Sequence, residues 1–206
     1  MDVIGTTGYA AAADALARQY EGVTFDWVHR DVLHLFPRSP SRVLDLGAGT
    51  GRDAAALCRL GHSVVAIEPI AQLRAHGQRI HRAEPIEWVE DTLPDLDVMR
   101  GRSDHFDLVL LIGVWMHLDK RQRRDAMATL TGLLAESGRI IMSVRHGPTP
   151  EGRRMFSVSA TETAQLAGLF GMHVIHRSEQ DDRLNRPDVG WSILAFERNG
   201  ISGSQP

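Results

Sequence analysis

An apolar stretch that runs into three alternating glycines is the feature that most constrains the fold of this chain. It extends from Val43 to Asp53, with the sequence VLDLGAGTGRD, and helix-forming residues follow it. Glycine is needed where a chain turns sharply, adopts a positive φ, or lets a ligand approach closer than a Cβ would allow. A helix that starts there presents unpaired backbone N–H groups. The segment therefore predicts a strand, a tight ligand-facing turn and a helix in succession.

Apolar runs alternate with segments of helical period from Val43 to Met142. This alternation is typical of strands joined by crossover helices in a parallel sheet. It predicts strands at Val43–Leu46, Ser63–Ile67, Ile86–Val89, Phe106–Ile112 and Arg139–Val144. It predicts helices at Gly51–Leu60, at Ile70–His81, and from a capping box of Asp119 and Gln122 to an end at Gly138.

The pattern changes in the last third of the chain. A helix is predicted from about Ala160 to Phe170, followed by strands at Met172–Arg177 and Gly190–Glu197. Because no helix separates these two strands, they must pair antiparallel. We therefore expect an α/β three-layer sandwich with a seven-stranded, mostly parallel sheet and an antiparallel last strand.

Composition argues against several classes of function. The chain has 206 residues and a formal net charge of -3, without the basic excess of a nucleic-acid-binding surface. Its longest apolar run, Phe106–Met116, falls short of the roughly 20 residues that span a bilayer. The residues after Met1 lack a secretory signal, so we expect a cytoplasmic protein without membrane or nucleic-acid partners. Cys58 is the single cysteine and the ten histidines lack zinc-helix spacing, so we predict no metal.

The glycine segment resembles a known motif. Asp45–Gly51 reads Asp-x-Gly-x-Gly-x-Gly, which is similar to motif I of the class I S-adenosylmethionine (SAM)-dependent methyltransferases. Gly49–Ala54 also fits the G-x-G-x-x-A fingerprint of dinucleotide-binding dehydrogenases, so the glycines alone leave both families open. Later segments favour methyl transfer: Phe106–Leu118 resembles the fourth strand and trailing turn of the methyltransferases. Leu133–Val144 resembles their fifth-strand region, with Glu-Ser in place of the more usual Lys-Pro.

This resemblance implies a Rossmann-like fold that binds SAM and releases S-adenosylhomocysteine (SAH). Glu68 would accept hydrogen bonds from the ribose hydroxyls, and Asp91 would accept from the adenine amino group, with Glu90 as its competitor. Asp45 would hold the amino group of the methionine part, and Arg52 would reach its carboxylate. The full set implied is Asp45, Gly47, Ala48, Gly49, Gly51, Arg52, Asp53, Glu68, Pro69, Asp91, Thr92, Leu93, Ile112 and Gly113.

The resemblance also divides the chain. Residues 41–198 would form the SAM-binding core, and residues 199–206 are expected to be disordered. Residues 1–40 fall outside the strand and helix repeat, and Tyr9–Tyr20 and Phe25–Phe36 have helical spacing. We interpret them as an N-terminal helical cap, which either covers the ligand pocket or packs only on the sheet edge.

A methyl group on a sulfonium is already activated, so the protein mainly has to align an acceptor and exclude water. A general base is needed only if the acceptor must lose a proton, and His117 and His146 are the candidates. Candidate acceptor-binding residues are Trp115, Arg145, Arg183, Arg186 and Trp191.

Motifs that are absent from the sequence restrict the class of acceptor. The Asn-Pro-Pro-Tyr motif of amino-group methylases and the cysteine of cytosine C5 methylases are absent, which favours a small molecule. A protein methyltransferase, an NAD-type oxidoreductase and a SAM-binding sensor without turnover are the alternatives. The acceptor atom and the oligomeric state are not predicted.

Overall fold

A single seven-stranded sheet organises residues 6–182 and 186–198, which the computed structural model describes. Its strands are β1 Arg42–Leu46, β2 Ser63–Ile67, β3 Glu87–Val89, β4 Phe106–Ile112, β5 Leu134–His146, β6 Met172–Asp181 and β7 Gly190–Arg198. The α-helices are α1 Ala13–Glu21, α2 Phe25–His29, α3 Arg52–Arg59, α4 Ala71–Ile80, α5 Asp97–Arg100, α6 Lys120–Leu133 and α7 Ala160–Leu169. Single 3-10 turns occur at Ala10–Ala12, Leu33–Leu35 and Trp115–His117.

The strand order is β3-β2-β1-β4-β5-β7-β6. Strands β1 to β5 pair parallel, whereas β7 pairs antiparallel with both β5 and β6. The expected sheet with its antiparallel last strand is therefore confirmed. From β1 the chain passes through β2 to β3 at one edge of the sheet. From β4, on the other side of β1, it continues toward the opposite edge. Ligands of such sheets bind where the winding reverses, at the carboxyl ends of β1 and β4.

Helices cover both faces of the sheet because side chains along each strand alternate in direction. On β1, Leu44 and Leu46 join one buried cluster with apolar side chains of α6 and α7. Val43 points the other way and joins a second cluster with α2 and α3. Strands β1, β2 and β4 are thus buried on both faces along most of their length.

The helix α6 is shorter than predicted. Its capping box of Asp119 and Gln122 is present, but the helix ends at Leu133 rather than at Gly138, because Leu134 is extended and opens β5. Gly138 lies where β5 bulges against β4, and a Cβ there would approach the Phe106 carbonyl oxygen to 2.8 Å. The glycine therefore permits a close strand contact and does not terminate the helix.

The N-terminal helices lie against the glycine turn that follows β1. Glu21, the last residue of α1, accepts a 2.6 Å hydrogen bond from the Thr50 hydroxyl and lies 3.1 Å from Nε2 of His81. Thr24 caps α2 by accepting from the backbone N–H of Trp27. None of the helices in the described residues is long and apolar enough to cross a membrane. The tail predicted at 199–206 lies outside the described residues.

Candidate functional site

A cavity of about 480 Å³ opens at the carboxyl ends of the central strands, where the winding of the sheet reverses. Most of the predicted site residues line it. They are Asp45, Gly47, Ala48, Gly49, Arg52, Asp53, Glu68, Pro69, Asp91, Thr92, Leu93, Ile112, Gly113, His117, Arg145, Arg186 and Trp191. The cavity has two parts, which we call the glycine side (Asp45–Asp53, Glu68 and Asp91) and the arginine side (Tyr9, His117, Arg145, Arg153, Arg186 and Trp191).

Glycine is required in the turn after β1. Gly47 has a φ of +67°, and a Cβ there would lie 2.5 Å from Cγ2 of Val114. Gly51 has a different role from the one predicted, because it does not line the cavity. A Cβ on Gly51 would meet the ring of Trp88 at 2.7 Å, so this glycine allows α3 to start close beneath β3.

Glu68 fastens the glycine turn to the end of β2. Its Oε2 accepts from the backbone N–H of Gly49 and its Oε1 from that of Ile70, both at 2.8 Å. The residue is 3% exposed, and burial raises the pKa of the carboxyl to about 7. Each oxygen keeps a second lone pair for a donor from the cavity.

Asp45, at the end of β1, is a buried acid with unused hydrogen-bonding capacity. It is 2% exposed, and its Oδ2 has no hydrogen-bond partner among the described residues. Burial, reinforced by the neighbouring charge of Asp53, raises the pKa of the Asp45 carboxyl. A buried carboxylate oxygen without a partner is costly, so its presence beside a cavity indicates a cationic or N–H donor ligand.

The Arg52 guanidinium is paired with another side chain of the protein. Its Nε and Nη2 donate to Oδ1 and Oδ2 of Asp53 at 2.8 and 3.0 Å, and Nε2 of His29 lies 3.1 Å from Oδ2. Against the opposing effect of burial, His29 and Arg52 hold the pKa of Asp53 well below its usual range. This cluster joins α2 to α3 and leaves Arg52 with little capacity for the ligand carboxylate that it was expected to reach.

Asp91, rather than Glu90, faces the cavity at the end of β3. Its two oxygens accept from the backbone N–H groups of Thr92 at 2.8 Å and Met99 at 3.0 Å. The Glu90 side chain is 70% exposed and pairs with Arg74. The geometry therefore favours Asp91 over its competitor.

On the arginine side, His117 is held in one tautomer. Its Nδ1 lies 2.8 Å from the Arg154 carbonyl oxygen, which only accepts, so Nδ1 carries the proton. In the neutral ring Nε2 is then an acceptor, and the Tyr9 hydroxyl donates to it at 3.0 Å. Burial lowers the pKa of His117 and raises that of Tyr9. The guanidinium of Arg153 lies 3.6 Å from the centre of the Tyr9 ring.

The guanidinium groups of the arginine side differ in their partners. Arg186 makes a two-bond pair with Asp182, at 3.0 and 2.6 Å, and Trp191 donates to the same carboxylate at 2.8 Å. Arg145, at the end of β5, is 8% exposed and donates from Nη1 to the Pro148 carbonyl at 2.8 Å. Its Nε has no partner, and neither does Nη1 of Arg153.

Besides Gly51, two predicted residues in the described part of the chain do not line the cavity. Trp115 is wrong as an acceptor contact, because it is fully buried in the core and donates to the Thr163 hydroxyl at 3.2 Å. His146 is also wrong: it follows Arg145 on β5, so strand alternation turns it to the other face, where Nε2 lies 2.7 Å from the Ser192 hydroxyl. Arg183 lies outside the described residues.

The sequence interpretation missed Tyr9, Tyr20 and Arg153, all of which line the cavity. Tyr9 and Tyr20 belong to the N-terminal segment, which has no motif that would fix its placement. Arg153 lies in the irregular segment after β5, at the same sheet edge as Arg145. This shared position at the sheet edge is the signal from which a site role for Arg153 could have been predicted.

Comparison with known proteins agrees with this geometry. Residues 43–138 match a family model described as a methyltransferase domain. No curated protein sequence matches the chain.

Three solved structures illustrate the fold. Magnesium protoporphyrin IX methyltransferase from Synechocystis, with bound SAM, has a TM-score of 0.63 and 16% identity over 93% of this chain and 80% of that one. The 1,6-didemethyltoxoflavin-N1-methyltransferase of Burkholderia thailandensis, with 1,6-didemethyltoxoflavin and SAH, scores 0.65 at 22% identity over 92% and 87%. The N-methyltransferase NodS of Bradyrhizobium japonicum, with SAH, scores 0.65 at 16% over 84% and 86%. Residues 43–138 therefore match a methyltransferase domain, and the described chain has the fold of these class I SAM-dependent methyltransferases.

Proposed function

We propose that this protein transfers the methyl group of SAM to a small-molecule acceptor. The observation that carries the proposal is the pair of buried carboxylates, Asp45 and Glu68, on the two sides of the glycine turn. One has an oxygen without a partner, which fits an ammonium group, and the other keeps lone pairs for two hydroxyls. A dinucleotide would bring its pyrophosphate to this turn, and a pyrophosphate offers no ammonium or N–H donor to the unpartnered oxygen of Asp45.

The residues of the glycine side fit the parts of the donor. We assign Asp45 and the backbone of Gly47, Ala48 and Gly49 to the methionine amino end, and Glu68 with Pro69 to the ribose. The other assignments are Asp91, Thr92 and Leu93 to the adenine, and Ile112 and Gly113 to the methionine chain. Arg52 and Asp53 support the turn through their ion pair. When bound, the sulfonium supplies a methyl group that needs no covalent catalyst.

We assign the proton chemistry to Tyr9 and His117 together. The Tyr9 hydroxyl already donates to Nε2 of His117, so an acceptor proton can pass to the Tyr9 oxygen while the Tyr9 proton passes to Nε2. His117 then becomes an imidazolium whose Nδ1–H stays on the Arg154 carbonyl. His117 is therefore proposed to act through Tyr9 rather than on the acceptor directly. Trp191 and Arg145 are assigned to binding the acceptor, and Arg186 to supporting this wall through Asp182, which also accepts from Trp191.

A small acceptor is supported by the size of the cavity. About 480 Å³ lies in the range of small-molecule sites. The Burkholderia neighbour, whose structure contains 1,6-didemethyltoxoflavin, has the same fold.

Calorimetric titration with SAM, SAH and NAD tests the proposal. We expect SAM and SAH to bind and NAD not to bind, and NAD binding without SAH binding would overturn it. Methyl transfer is then measured as SAH release against phenols, amines, thiols and carboxylic acids. SAH binding without turnover on any of them would favour a sensor over an enzyme.

A further inference from the structure

We infer that the acceptor carries a carboxylate or phosphate group that Arg145 and Arg153 bind, an inference that rests on the proposed methyl transfer. Both guanidinium groups line the cavity on the arginine side. Each has a buried N–H nitrogen without a hydrogen-bond partner: Nε of Arg145 and Nη1 of Arg153. Donors left unpaired in a buried position indicate a ligand that accepts from them.

Two further arginines in the described lining of the cavity provide an internal comparison. Arg52 forms a two-bond pair with Asp53, and Arg186 forms one with Asp182. Among the described residues, neither Arg145 nor Arg153 has a carboxylate within ion-pair distance. Of the four described arginines that line the cavity, two are therefore neutralised by the protein and two keep their charge for a ligand.

The charge balance on the arginine side also indicates an anionic ligand. Within residues 6–182 and 186–198, three guanidinium groups and one carboxylate, that of Asp182, line this part of the cavity. Burial lowers the pKa of Arg145, and the nearby charge of Arg186 lowers it further, whereas Asp182 acts in the opposite direction. A bound anion removes this repulsion. Because guanidinium groups bind carboxylate and phosphate oxygens with paired hydrogen bonds, these are the anions that fit best.

The remainder of the acceptor is expected to be apolar or aromatic. Leu16, Met155, Trp191 and Ile193 contribute apolar surface to the cavity. Arg153 also stacks on the Tyr9 ring, so an anion on Arg153 lies beside the hydroxyl proposed to accept the proton. The anion thereby positions the acceptor next to its base.

To test the inference, the purified protein is saturated with SAH and then titrated with small aromatic probes. The anionic probes are benzoate, phenyl phosphate and 3-phenylpropanoate, and the neutral controls are benzamide and the amide of 3-phenylpropanoate. We expect the anions to bind at least about tenfold more tightly than the amides, as charge-assisted hydrogen bonds predict. Whether benzoate or phenyl phosphate binds more tightly identifies the anion.

Arg145→Gln and Arg153→Gln should each reduce the anion preference about tenfold, while Arg145→Lys should keep part of it. SAH affinity should stay within about twofold in all three variants. Arg121→Gln is the matched control, since the Arg121 side chain is 91% exposed on α6. Circular dichroism verifies folding, and Arg153, in an irregular segment, provides a second variant if the strand residue Arg145 does not tolerate change.

Equal binding of anions and amides by the wild type would overturn the inference. So would loss of SAH affinity in the arginine variants with the probe preference unchanged, because these arginines would then bind the donor's own carboxylate. Failure of the wild type to bind SAH is a different result, which refutes the proposed function itself.

Discussion

The two sides of the cavity are built in different ways. On the glycine side, Asp45, Glu68 and Asp91 lie at the ends of three neighbouring parallel strands, and backbone N–H groups hold Glu68 and Asp91 in place. On the arginine side, Tyr9, His117, Arg145 and Arg153 come from separate segments. Their contacts are mainly between side chains, or from side chains to irregular backbone.

This difference fits two different tasks. A ligand common to a whole fold can be bound by strand ends and a glycine turn, whose geometry depends on the sheet. A ligand particular to one protein requires side chains that vary without disturbing the sheet. The following experiments separate the two sides, from the largest expected effect to the smallest.

Tyr9→Phe should reduce kcat about 10²- to 10⁴-fold with any acceptor that loses a proton, because the route to His117 is removed. SAH affinity should remain unchanged, since Tyr9 belongs to the arginine side. Steady-state kinetics with calorimetry measures both quantities. A variant that loses SAH affinity in proportion to kcat would show that the two sides do not act separately.

Glu68→Ala should weaken SAH binding about hundredfold, near 3 kcal/mol, because it removes a charged acceptor and leaves the N–H groups of Gly49 and Ile70 unpaired. Glu90→Ala is the control, as its exposed side chain pairs with Arg74 and should change the affinity less than about twofold. Calorimetry compares the two variants. Equal effects would refute the ribose role of Glu68.

Affinity for SAH should rise with pH, up to about tenfold between about pH 6 and pH 8, because hydroxyl donors favour ionised Glu68, whose pKa burial raises to about 7. The ligand-free protein responds in the opposite direction. The folded pKa of Glu68 exceeds its ordinary value of 4.5, so its contribution to stability is fully present below pH 4.5 and is lost as pH rises through about 7. Glu68→Gln should reduce both dependences, and the part that remains is expected from Asp45, whose pKa burial also raises. An undiminished rise in that variant would assign the titration to another group.

Trp115→Phe should leave SAH and benzoate binding unchanged while it lowers the free energy of unfolding by about 2 kcal/mol, through a lost hydrogen bond and a small cavity. Urea denaturation measures the stability. Trp191→Phe is the counterpart on the cavity wall and should weaken benzoate binding more than stability. A binding defect in Trp115→Phe without lower stability would show that Trp115 contributes to the binding site after all.

The sequence predicted the glycine side better than the arginine side for a physical reason. Asp45, Glu68 and Asp91 each follow directly from a recognisable strand, and parallel strands must end at a common edge. Tyr9 reaches His117 across 108 positions of sequence, and no local pattern encodes a contact of that kind. Arg145 was found because it ends a strand, whereas Arg153 is in a segment without regular structure. Trp115 and His146 were misassigned because proximity in sequence to a strand end does not determine which way a side chain points.

Asp45 has a further consequence, for how this protein balances function against folding. A buried carboxylate oxygen without a partner works against the native state, and natural chains retain such groups where activity requires them. The ligand-free protein therefore carries a destabilising group that an apolar residue would remove, at the expense of the donor binding proposed for Asp45. Selection for thermal stability alone would be expected to replace Asp45 early. The result would be a more stable protein that no longer binds its methyl donor.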